Sequence, residues 1–356
     1  MPLTELSFLG LVATALITAL LISFVATPVV KSLAQKVGAV DVPKDGRRMH
    51  DHPIPRMGGL AIFLGFTLAV LVFADLTRQL QGMLLGAVII VVLGIFDDIY
   101  ALRASFKFVV QIIAALVAVL YGGNVISVLS NPNIFSSNPW WVLGPLSIPV
   151  TVLWIVAITN AVNLIDGLDG LAVGVSTISS MTLLVIALTV ADWEVAVLMG
   201  ALAGACIGFM PYNLNPAKIF MGDTGSTFLG FVLAVVSIQG LFKFYTIISF
   251  AVPFLMLGLP IFDTAFAFIR RIAHGQNPMS PDRSHVHHRL IDMGFNQKQA
   301  VAVLYVISAI LGLSAVVLTT SGALKAMMLL LALCAAGAVS ARLFWGNNNG
   351  KNHPDE

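Results

Sequence analysis

The sequence is poor in charged residues and in cysteine. Of its 356 residues only 10% are charged and 58% are hydrophobic, whereas soluble domains carry about 25% charged residues. This composition excludes a soluble globular protein, and the net charge of +2 is too small to indicate a nucleic-acid partner. The two cysteines, Cys206 and Cys334, lie in apolar stretches without a CxxC spacing, so neither a disulfide framework nor a thiolate metal site is expected.

Long apolar runs are what the sequence has instead. A helix that crosses a bilayer needs roughly 20 apolar residues, and eleven such runs lie near residues 7–30, 57–74, 81–96, 106–123, 148–163, 170–190, 195–212, 225–242, 246–269, 299–319 and 322–343. The first run is too long for a signal peptide, so it predicts a retained helix. We therefore expect an all-α polytopic membrane protein of about 11 transmembrane helices (10–11), with one domain over residues 1–345 and a polar tail over residues 346–356.

The distribution of basic residues predicts the orientation. With the N-terminus outside, sixteen lysines and arginines fall in inner segments and three in outer ones, in agreement with the positive-inside rule. The inner loops are then cytoplasmic. Arg47, Arg48 and Arg56 in the first inner loop are interpreted as attracted to anionic lipid, and Trp140 and Trp141 in an outer loop as interface anchors.

Acidic residues gather at the inner face in this topology. They are Asp97, Asp98, Asp166, Asp169, Asp223 and Asp263. A carboxylate within a membrane is costly and usually lines a polar cavity or binds a cation. Clustered carboxylates also repel one another, so a positive group is expected among them. Oxygen ligands without a neighbouring cysteine or histidine pair favour Mg²⁺.

Asp223, in the stretch GDTGS, is the first choice of metal ligand. The flanking glycine allows close backbone approach, and the residues that follow can open a helix whose amides face an anion. Capping of that helix by Asp223 is the alternative interpretation, and both can hold together. Asp97 and Asp98 oppose the dipole at a helix C-terminus, so they are either a solvated pair or are offset by a cation such as Arg103 or Lys107.

The stretch NAVNLIDGLDGLAVG carries polar residues within an apolar region. Asn163, Asp166 and Asp169 recur every three residues, which on a helix places them within about 120° of one face. Gly167 and Gly170 weaken the helix and leave room for a ligand near the backbone. This pattern predicts a polar stripe that faces a wet cavity.

Three histidines, His285, His287 and His288, lie in SPDRSHVHHRL between Arg283 and Arg289. Their spacing alone is compatible with zinc. Two fixed positive charges disfavour Zn²⁺ and attract phosphate, so phosphate contact is preferred, with an ordinary polar loop and zinc as alternatives.

Four motifs in this order, DDIY, NAVNLIDGLDGLA, KIFMGDTGSTFLGF and SPDRSHVHHRL, resemble the polyprenyl-phosphate N-acetylhexosamine-1-phosphate transferases. HPIPRMGGLAI and the HxHH pattern resemble the WecA/TagO type of that family, rather than the MraY type that transfers phospho-MurNAc-pentapeptide. The likeness covers roughly residues 41–300. One departure is Ala101, which stands where many WecA-like sequences have the last aspartate of DDxxD.

The resemblance implies ten or eleven transmembrane helices in the bacterial plasma membrane, a cytoplasmic active site and a groove that faces lipid. It also implies a reaction: undecaprenyl phosphate attacks the β-phosphorus of UDP-GlcNAc, releases UMP and leaves undecaprenyl-diphosphate-GlcNAc. This is the first membrane step of a cell-envelope polysaccharide such as teichoic acid or the O-antigen of lipopolysaccharide. The implied partners are the lipid, the UDP-N-acetylhexosamine and, as a candidate assembly, a second copy of the chain.

The resemblance assigns roles to individual residues. Asp223 corresponds to the ligand of Mg²⁺, with Mn²⁺ as a substitute, and Asp97 and Asp98 to the acidic pair at the acceptor phosphate. All three are expected to be catalytic. The expected substrate-binding residues are Lys107, Asn163, Asp166, Asp169, Phe220, Arg283, His285, His287 and His288, with Phe220 suited to stacking on uracil.

Elementary chemistry supports the same reaction. The second pKa of a phosphate monoester is about 6, so the acceptor is mostly dianionic near neutral pH and needs no strong base. The harder task is to bring two polyanions together, which Mg²⁺ with Lys and Arg achieves by neutralisation and positioning. Asp97 is expected to position the acceptor for a direct displacement, without a phospho-enzyme. The alternatives are a MraY-type or other UDP-HexNAc donor and, from another class, a cation-coupled transporter, whose acids would lie near the midplane.

Overall fold

The computed structural model describes residues 5–43, 52–130, 140–240, 248–273, 275 and 285–321. Arg283, Cys334, the last predicted span and the polar tail lie outside the described residues.

The described chain is almost entirely helical. Its α-helices are α1 (Glu5–Val37), α2 (Gly59–Phe73), α3 (Arg78–Tyr100), α4 (Ala104–Leu116, continued by a π-helical turn at Val117–Tyr121), α5 (Ser147–Leu164), α6 (Leu171–Thr189), α7 (Trp193–Asn213), α8 (Gly222–Gly240), α9 (Ile248–Met256), α10 (Gly258–Ala273), α11 (Val286–Asp292) and α12 (Gln297–Ser321). Two short antiparallel hairpins pair β1 (Val40–Asp41) with β2 (Ile54–Pro55) and β3 (Val128–Ser130) with β4 (Trp140–Val142).

Seven described helical segments are long and apolar enough to cross a membrane. They are Ser7–Val37, Arg78–Tyr100, Ala104–Tyr121, Gly144–Leu164, Leu171–Thr189, Trp193–Asn213 and Gln297–Thr320. The prediction of an all-α, multi-pass membrane protein is confirmed at this level. Many of the side chains that α1 turns outward are apolar, including Val25 and Val29 at 67% and 68% exposure, as expected of a surface that faces lipid.

The ninth predicted span is divided into α9 and α10. Pro260 has no N–H to donate to the Met256 carbonyl, so one bond of a continuous helix is missing. The Met256 carbonyl instead accepts a 2.9 Å bond from Ser179 Oγ of α6. The expectation of one uninterrupted helix over residues 246–269 is therefore wrong at this point.

Helix α8 is the centre of the bundle, because every side chain from Thr224 to Gly240 is buried. It packs against α3 and α5 through small residues, as helices in membranes commonly do. A Cβ at Gly94 would overlap the Thr224 backbone, and one at Gly230 would overlap Thr159. This close approach brings the ends of three helices to one site.

The hairpin of β1 and β2 is bonded to the segment before α8. The Phe220 amide donates to the Pro55 carbonyl (2.8 Å), and the Gly58 amide donates to the Phe220 carbonyl (2.9 Å). Met57, between them, has a φ of +102° and is buried. The chain turns there so that Arg56 points toward the ends of α3 and α8.

Candidate functional site

The C-terminal ends of α3 and α5 meet the N-terminal end of α8, and each contributes polar side chains. Asp97 and Asp98 lie in the last turn of α3, Asn163 lies in the last turn of α5, and Asp223 lies in the first turn of α8. A carboxylate is favourable at a helix N-terminus and unfavourable at a C-terminus. The α3 pair therefore needs donors from outside its own helix.

Asp98 obtains those donors. Its Oδ1 accepts bonds from Arg56 Nε (3.1 Å) and the Asp223 amide (3.0 Å), and its Oδ2 accepts bonds from the Thr224 amide (3.1 Å) and hydroxyl (2.6 Å). Gly222 has a φ of +72°, and a Cβ there would overlap the Asp98 carboxylate. Asp98 thus joins the segment after β2, the end of α3 and the start of α8.

Asp97 belongs to a different group of contacts. Lys107 Nζ of α4 lies 2.9 Å from Asp97 Oδ2 and 2.8 Å from Asp223 Oδ2, so it bridges the two carboxylates. Asn163 Nδ2 donates to the same Asp223 oxygen at 3.3 Å. Of the two cations expected beside the acidic pair, Lys107 is the one that contacts Asp97. Arg103 is exposed at the N-cap of α4.

The structure shows why glycine is needed at both glycine positions of the DGLDG segment. Gly167 has no room for a Cβ, because the ring of His287 lies over it. Gly170 has a φ of +80°, which favours glycine, and its carbonyl accepts a 2.5 Å bond from the Tyr305 hydroxyl. The helical geometry used to place Asn163, Asp166 and Asp169 on one face is wrong, since α5 ends at Leu164 and the segment that follows is a turn held by α11 and α12. The three residues nevertheless line the same cavity, as predicted.

Asp166 and Asp169 of this turn have different surroundings. Asp169 Oδ2 accepts bonds from Asn215 Nδ2 (2.9 Å) and the Ala217 amide (3.0 Å) and so holds the loop before α8. Burial, followed by the negative charges of Asp223 and two other aspartates, raises the pKa of Asp166 from 3.8 to about 8. A carboxyl in this state is favoured in its neutral form unless a cation lies beside it.

A cavity of about 380 Å³ opens beside these residues, a size typical of small-molecule sites. The predicted site residues that line it are Asp98, Asn163, Asp166, Asp169, Phe220, Asp223 and His288. Among the described residues, Asp97, Lys107, His285 and His287 are not part of this lining. Asp97 and Lys107 are connected to the cavity indirectly, because Lys107 forms an ion pair with Asp223, which lines it.

Several lining residues were not predicted. They are Asp41, His52, Arg56, Asn215 and Gln297. Arg56 was attributed to lipid attraction, whereas the structure pairs it with Asp98. The position of Arg56 in the HPIPRMGGLAI motif could have indicated a more specific role. Its partner follows only from the hydrogen bonds that join the β1–β2 hairpin to the segment before α8.

The three histidines have three different environments. His288 lines the cavity, and His287 is buried against Gly167. His285 is buried with its Nδ1 2.8 Å from Asp263 Oδ2. Burial and the charge of His288 lower the pKa of His287 to about 4, so His287 is neutral near pH 7. The zinc alternative has no support, since within the described chain no group of three His, Cys, Asp or Glu could hold a metal ion.

Comparison with known proteins connects this arrangement to a family. The model of glycosyl transferase family 4 matches residues 80–241. The chain is 45% identical over 315 residues to a probable undecaprenyl-phosphate N-acetylglucosaminyl 1-phosphate transferase of Bacillus subtilis, covering 87% of this chain and 86% of that one. It is 36% identical to a decaprenyl-phosphate N-acetylglucosaminephosphotransferase of Mycolicibacterium smegmatis (85% and 80% covered). It is 34% identical to an undecaprenyl-phosphate alpha-N-acetylglucosaminyl 1-phosphate transferase of Thermotoga maritima (75% and 78% covered).

Proposed function

Since the chain belongs to glycosyl transferase family 4, we propose that it transfers GlcNAc-1-phosphate from UDP-GlcNAc to undecaprenyl phosphate. The products are undecaprenyl-diphosphate-GlcNAc and UMP, and the reaction begins a cell-envelope polysaccharide of the teichoic acid or O-antigen type. The MurNAc-pentapeptide alternative is not favoured, because the relatives carry names of GlcNAc transferases. The observation that carries the proposal in the structure is Lys107 bridging Asp97 and Asp223 beside a polar cavity.

The cavity suits the donor nucleotide. Phe220 is an aromatic side chain in a wall that is otherwise rich in amides and carboxylates, and it can stack on uracil. Asn163 and Asp166 can hydrogen-bond to the nucleotide. Arg56 and His288 line the same cavity and supply donors for phosphate oxygens.

Asp223 is the residue proposed to hold Mg²⁺. Lys107 and Asn163 bind its Oδ2. The carboxylate of Asp97 shares Lys107 with it, and that of Asp98 binds its backbone amide. Oxygen ligands of this kind fit a hard cation. Mg²⁺ commonly binds through one or two carboxylates and completes its shell with water and substrate phosphate. The chemistry that the bound ion supplies is neutralisation of phosphate charge.

Lys107 is proposed to bind the acceptor phosphate, and Asp97 to fix the position of Lys107. The ammonium lies between the two carboxylates and is partly exposed, so it can contact an anion that approaches from the membrane. An oxygen of the acceptor phosphate forms a bond to the β-phosphorus, and the bond from that phosphorus to the oxygen of UMP breaks. The acceptor is already deprotonated near neutral pH, so Asp97 is not needed as a base.

The finer topology is also part of the proposal. We propose eleven spans, an outer N-terminus and a cytoplasmic site in the plasma membrane of a bacterium. The asymmetry of sixteen inner and three outer basic residues supports this orientation. A cytoplasmic site is also where UDP-sugars are available. Assembly into a homodimer stays a prediction.

The test is transfer by the purified protein from radiolabelled UDP-GlcNAc to undecaprenyl phosphate with Mg²⁺. UDP-GalNAc and UDP-MurNAc-pentapeptide are run in parallel. We expect labelled lipid from UDP-GlcNAc, its loss with EDTA, and restoration by Mg²⁺ or Mn²⁺. Asp223→Asn should reduce transfer at least about 100-fold, since it removes the charge on which phosphate neutralisation depends.

Asp292→Asn is the matched control, because Asp292 is an exposed aspartate at the end of α11. Transfer from another donor alone would keep the chemistry and overturn the choice of GlcNAc. Absence of lipid product from all three donors, in protein with a normal unfolding transition, would overturn the transferase proposal.

A further inference from the structure

We propose that Asp263 is a positioning residue of this site, which holds His285 and the first turn of α11 and thereby places His288 at the cavity. The inference rests on the proposed function, because it assigns a role within the same transferase site.

Both oxygens of Asp263 point at the start of α11. Oδ2 lies 2.8 Å from His285 Nδ1, and Oδ1 accepts a 2.8 Å bond from the Val286 amide. An ionised carboxylate can only accept, so His285 Nδ1 carries the hydrogen. Asp263 and His285 are buried, at 5% and 6% exposure. These two bonds fix both the ring of His285 and the backbone that follows it.

The position of Asp263 within α10 requires such a partner. The neighbouring side chains Phe262 and Phe266 are exposed and apolar, so this helix has an outer face suited to lipid. A carboxylate in such a segment is costly unless it is paired. Among the described residues, its salt-bridge partner is His285 of the next helix. The free-energy cost of burying the Asp263 carboxylate is thus offset by its contacts with His285 and the Val286 amide, and the same contacts position α11.

A continuous set of contacts leads from Asp263 to the cavity. The rings of His285 and His287 are parallel, with centroids 5.7 Å apart, and the centroids of His287 and His288 are 4.3 Å apart. His287 lies over Gly167 of the turn that carries Asp166. His288 lines the cavity. Each histidine therefore has a separate place, and only the last of the three reaches the cavity wall.

Helix α11 cannot hold this arrangement alone. It has seven residues, and isolated helices shorter than about 12 residues are marginal in water. Its orientation must come from tertiary contacts, among them Asp263 at His285 and Gly167 at His287. Arg289 over the Phe266 ring and the packing of Leu290 against the core add to these. Loss of the Asp263 contact should let α11 shift and withdraw His288 from the cavity.

Asp263→Asn is the first test variant. Asparagine retains an acceptor for the Val286 amide, but its NH₂ group opposes the Nδ1–H of His285. We expect kcat/KM for UDP-GlcNAc to fall roughly 10- to 100-fold, the range found when a group that orients a ligand residue is removed. Asp292→Asn on the same short helix should leave kcat/KM unchanged.

Two substitutions of His285 separate a positioning role from substrate contact. The amide nitrogen of asparagine can take the place of Nδ1, whereas that of glutamine takes the place of Nε2. His285→Asn keeps the donor to Asp263 and should retain most of the activity. His285→Gln should show the same loss as Asp263→Asn.

A double variant tests whether the effect passes through His288. Residues in one network show non-additive effects, so Asp263→Asn should lower kcat/KM little further in the His288→Ala background. Hydrogen exchange provides a readout that does not depend on transfer: amides of residues 286–292 should exchange faster in Asp263→Asn than in Asp292→Asn.

The inference is overturned if Asp263→Asn has wild-type kinetics and exchange. It is equally overturned if His285→Gln is active and His285→Asn is not, which would show that Nε2 contacts substrate, or if the losses in the double variant multiply. Failure of the wild type to use UDP-GlcNAc would count against the proposed donor alone. In that case the exchange comparison still decides the role of Asp263.

Discussion

At the scale of single residues, Asp97 and Asp98 are neighbours in sequence with different partners. Asp98 accepts four hydrogen bonds from Arg56, Asp223 and Thr224. Asp97 Oδ2 shares Lys107 with Asp223. If one of the two carboxylates is neutralised, Lys107 still forms an ion pair with the other. Asp97 is therefore suited to act at the acceptor phosphate through Lys107. Asp98 is suited to hold Arg56 and the start of α8 in place.

We predict that Asp98→Asn destabilises the protein far more than Asp97→Asn. An NH₂ group at position 98 would face several buried donors, and breaking a buried ion pair costs about 3–5 kcal/mol. Asp97→Asn should lose less stability, because Asp223 still pairs with Lys107, and should still lose most of the transfer activity. Thermal unfolding in detergent, together with the transfer assay, measures both quantities. Equal destabilisation by the two variants would contradict this division of roles.

Asp166 predicts a pH-dependent stability. Its pKa is raised from 3.8 to about 8, so between about pH 4 and pH 8 the folded protein holds a proton that the unfolded chain has lost. Stability therefore falls as the pH rises through this window. Asp166→Asn has no such proton to lose. Its advantage in Tm over the wild type should grow from about pH 5 to about pH 8, measured in EDTA.

The control for this prediction is Asp292→Asn, an exposed position outside the cavity, measured under the same conditions. An advantage of Asp166→Asn that is the same at both pH values would show that burial does not hold the proton. Transfer activity of Asp166→Asn is expected to fall, because the carboxylate is proposed to contact the nucleotide.

At the scale of elements, most helix positions follow from the apolar runs, but two departures have local causes. The helix expected over residues 246–269 breaks into α9 and α10 because Pro260 cannot donate to Met256. The polar stripe expected after α5 becomes a turn, because Gly170 takes a left-handed conformation and Tyr305 binds its carbonyl. The first break could have been predicted, because Pro260 is visible in the sequence. The second could not, because the contact with Tyr305 joins residues 135 positions apart.

We predict that Gly167→Ala displaces α11. The new methyl group would overlap the ring of His287, and overpacking of this kind typically costs about 1–3 kcal/mol. The unfolding free energy and the transfer rate should both fall. The same substitution in a His287→Ala background should cost less, because the obstructing ring is gone.

Gly10→Ala provides the control, since a Cβ at Gly10 of α1 meets no atom within 4 Å. A Gly167→Ala variant as stable and as active as Gly10→Ala would show that α11 does not need to lie against the turn.

At the scale of the whole molecule, the proposed orientation predicts opposite accessibility of two surfaces. A cysteine-free variant with Cys206→Ser and Cys334→Ser is the background. Trp141→Cys, in the β3–β4 hairpin where the tryptophan is 52% exposed, should react with an impermeant maleimide in intact cells. Asp292→Cys, at the exposed end of α11 on the proposed cytoplasmic face, should react only after permeabilisation. The reverse pattern would invert the topology and place the site outside.

The sequence by itself determined the class of the molecule. Its apolar runs require a helical membrane protein, because only closed hydrogen bonding within each segment is stable in lipid. Its ordered motifs indicated the transferase family and seven of the residues that line the cavity. These properties depend on local composition and on short spacings that a linear reading preserves.

The tertiary structure decided which of those residues meet. It alone pairs Arg56 with Asp98, places Lys107 between Asp97 and Asp223, and joins Asp263 to His285. The partners lie from 10 to 116 positions apart along the chain, and the contacts around Asp98 and Asp223 depend on how closely α3, α5 and α8 pack through glycine. Packing of this kind depends on distances and directions in space, which the spacing of residues in a sequence does not record.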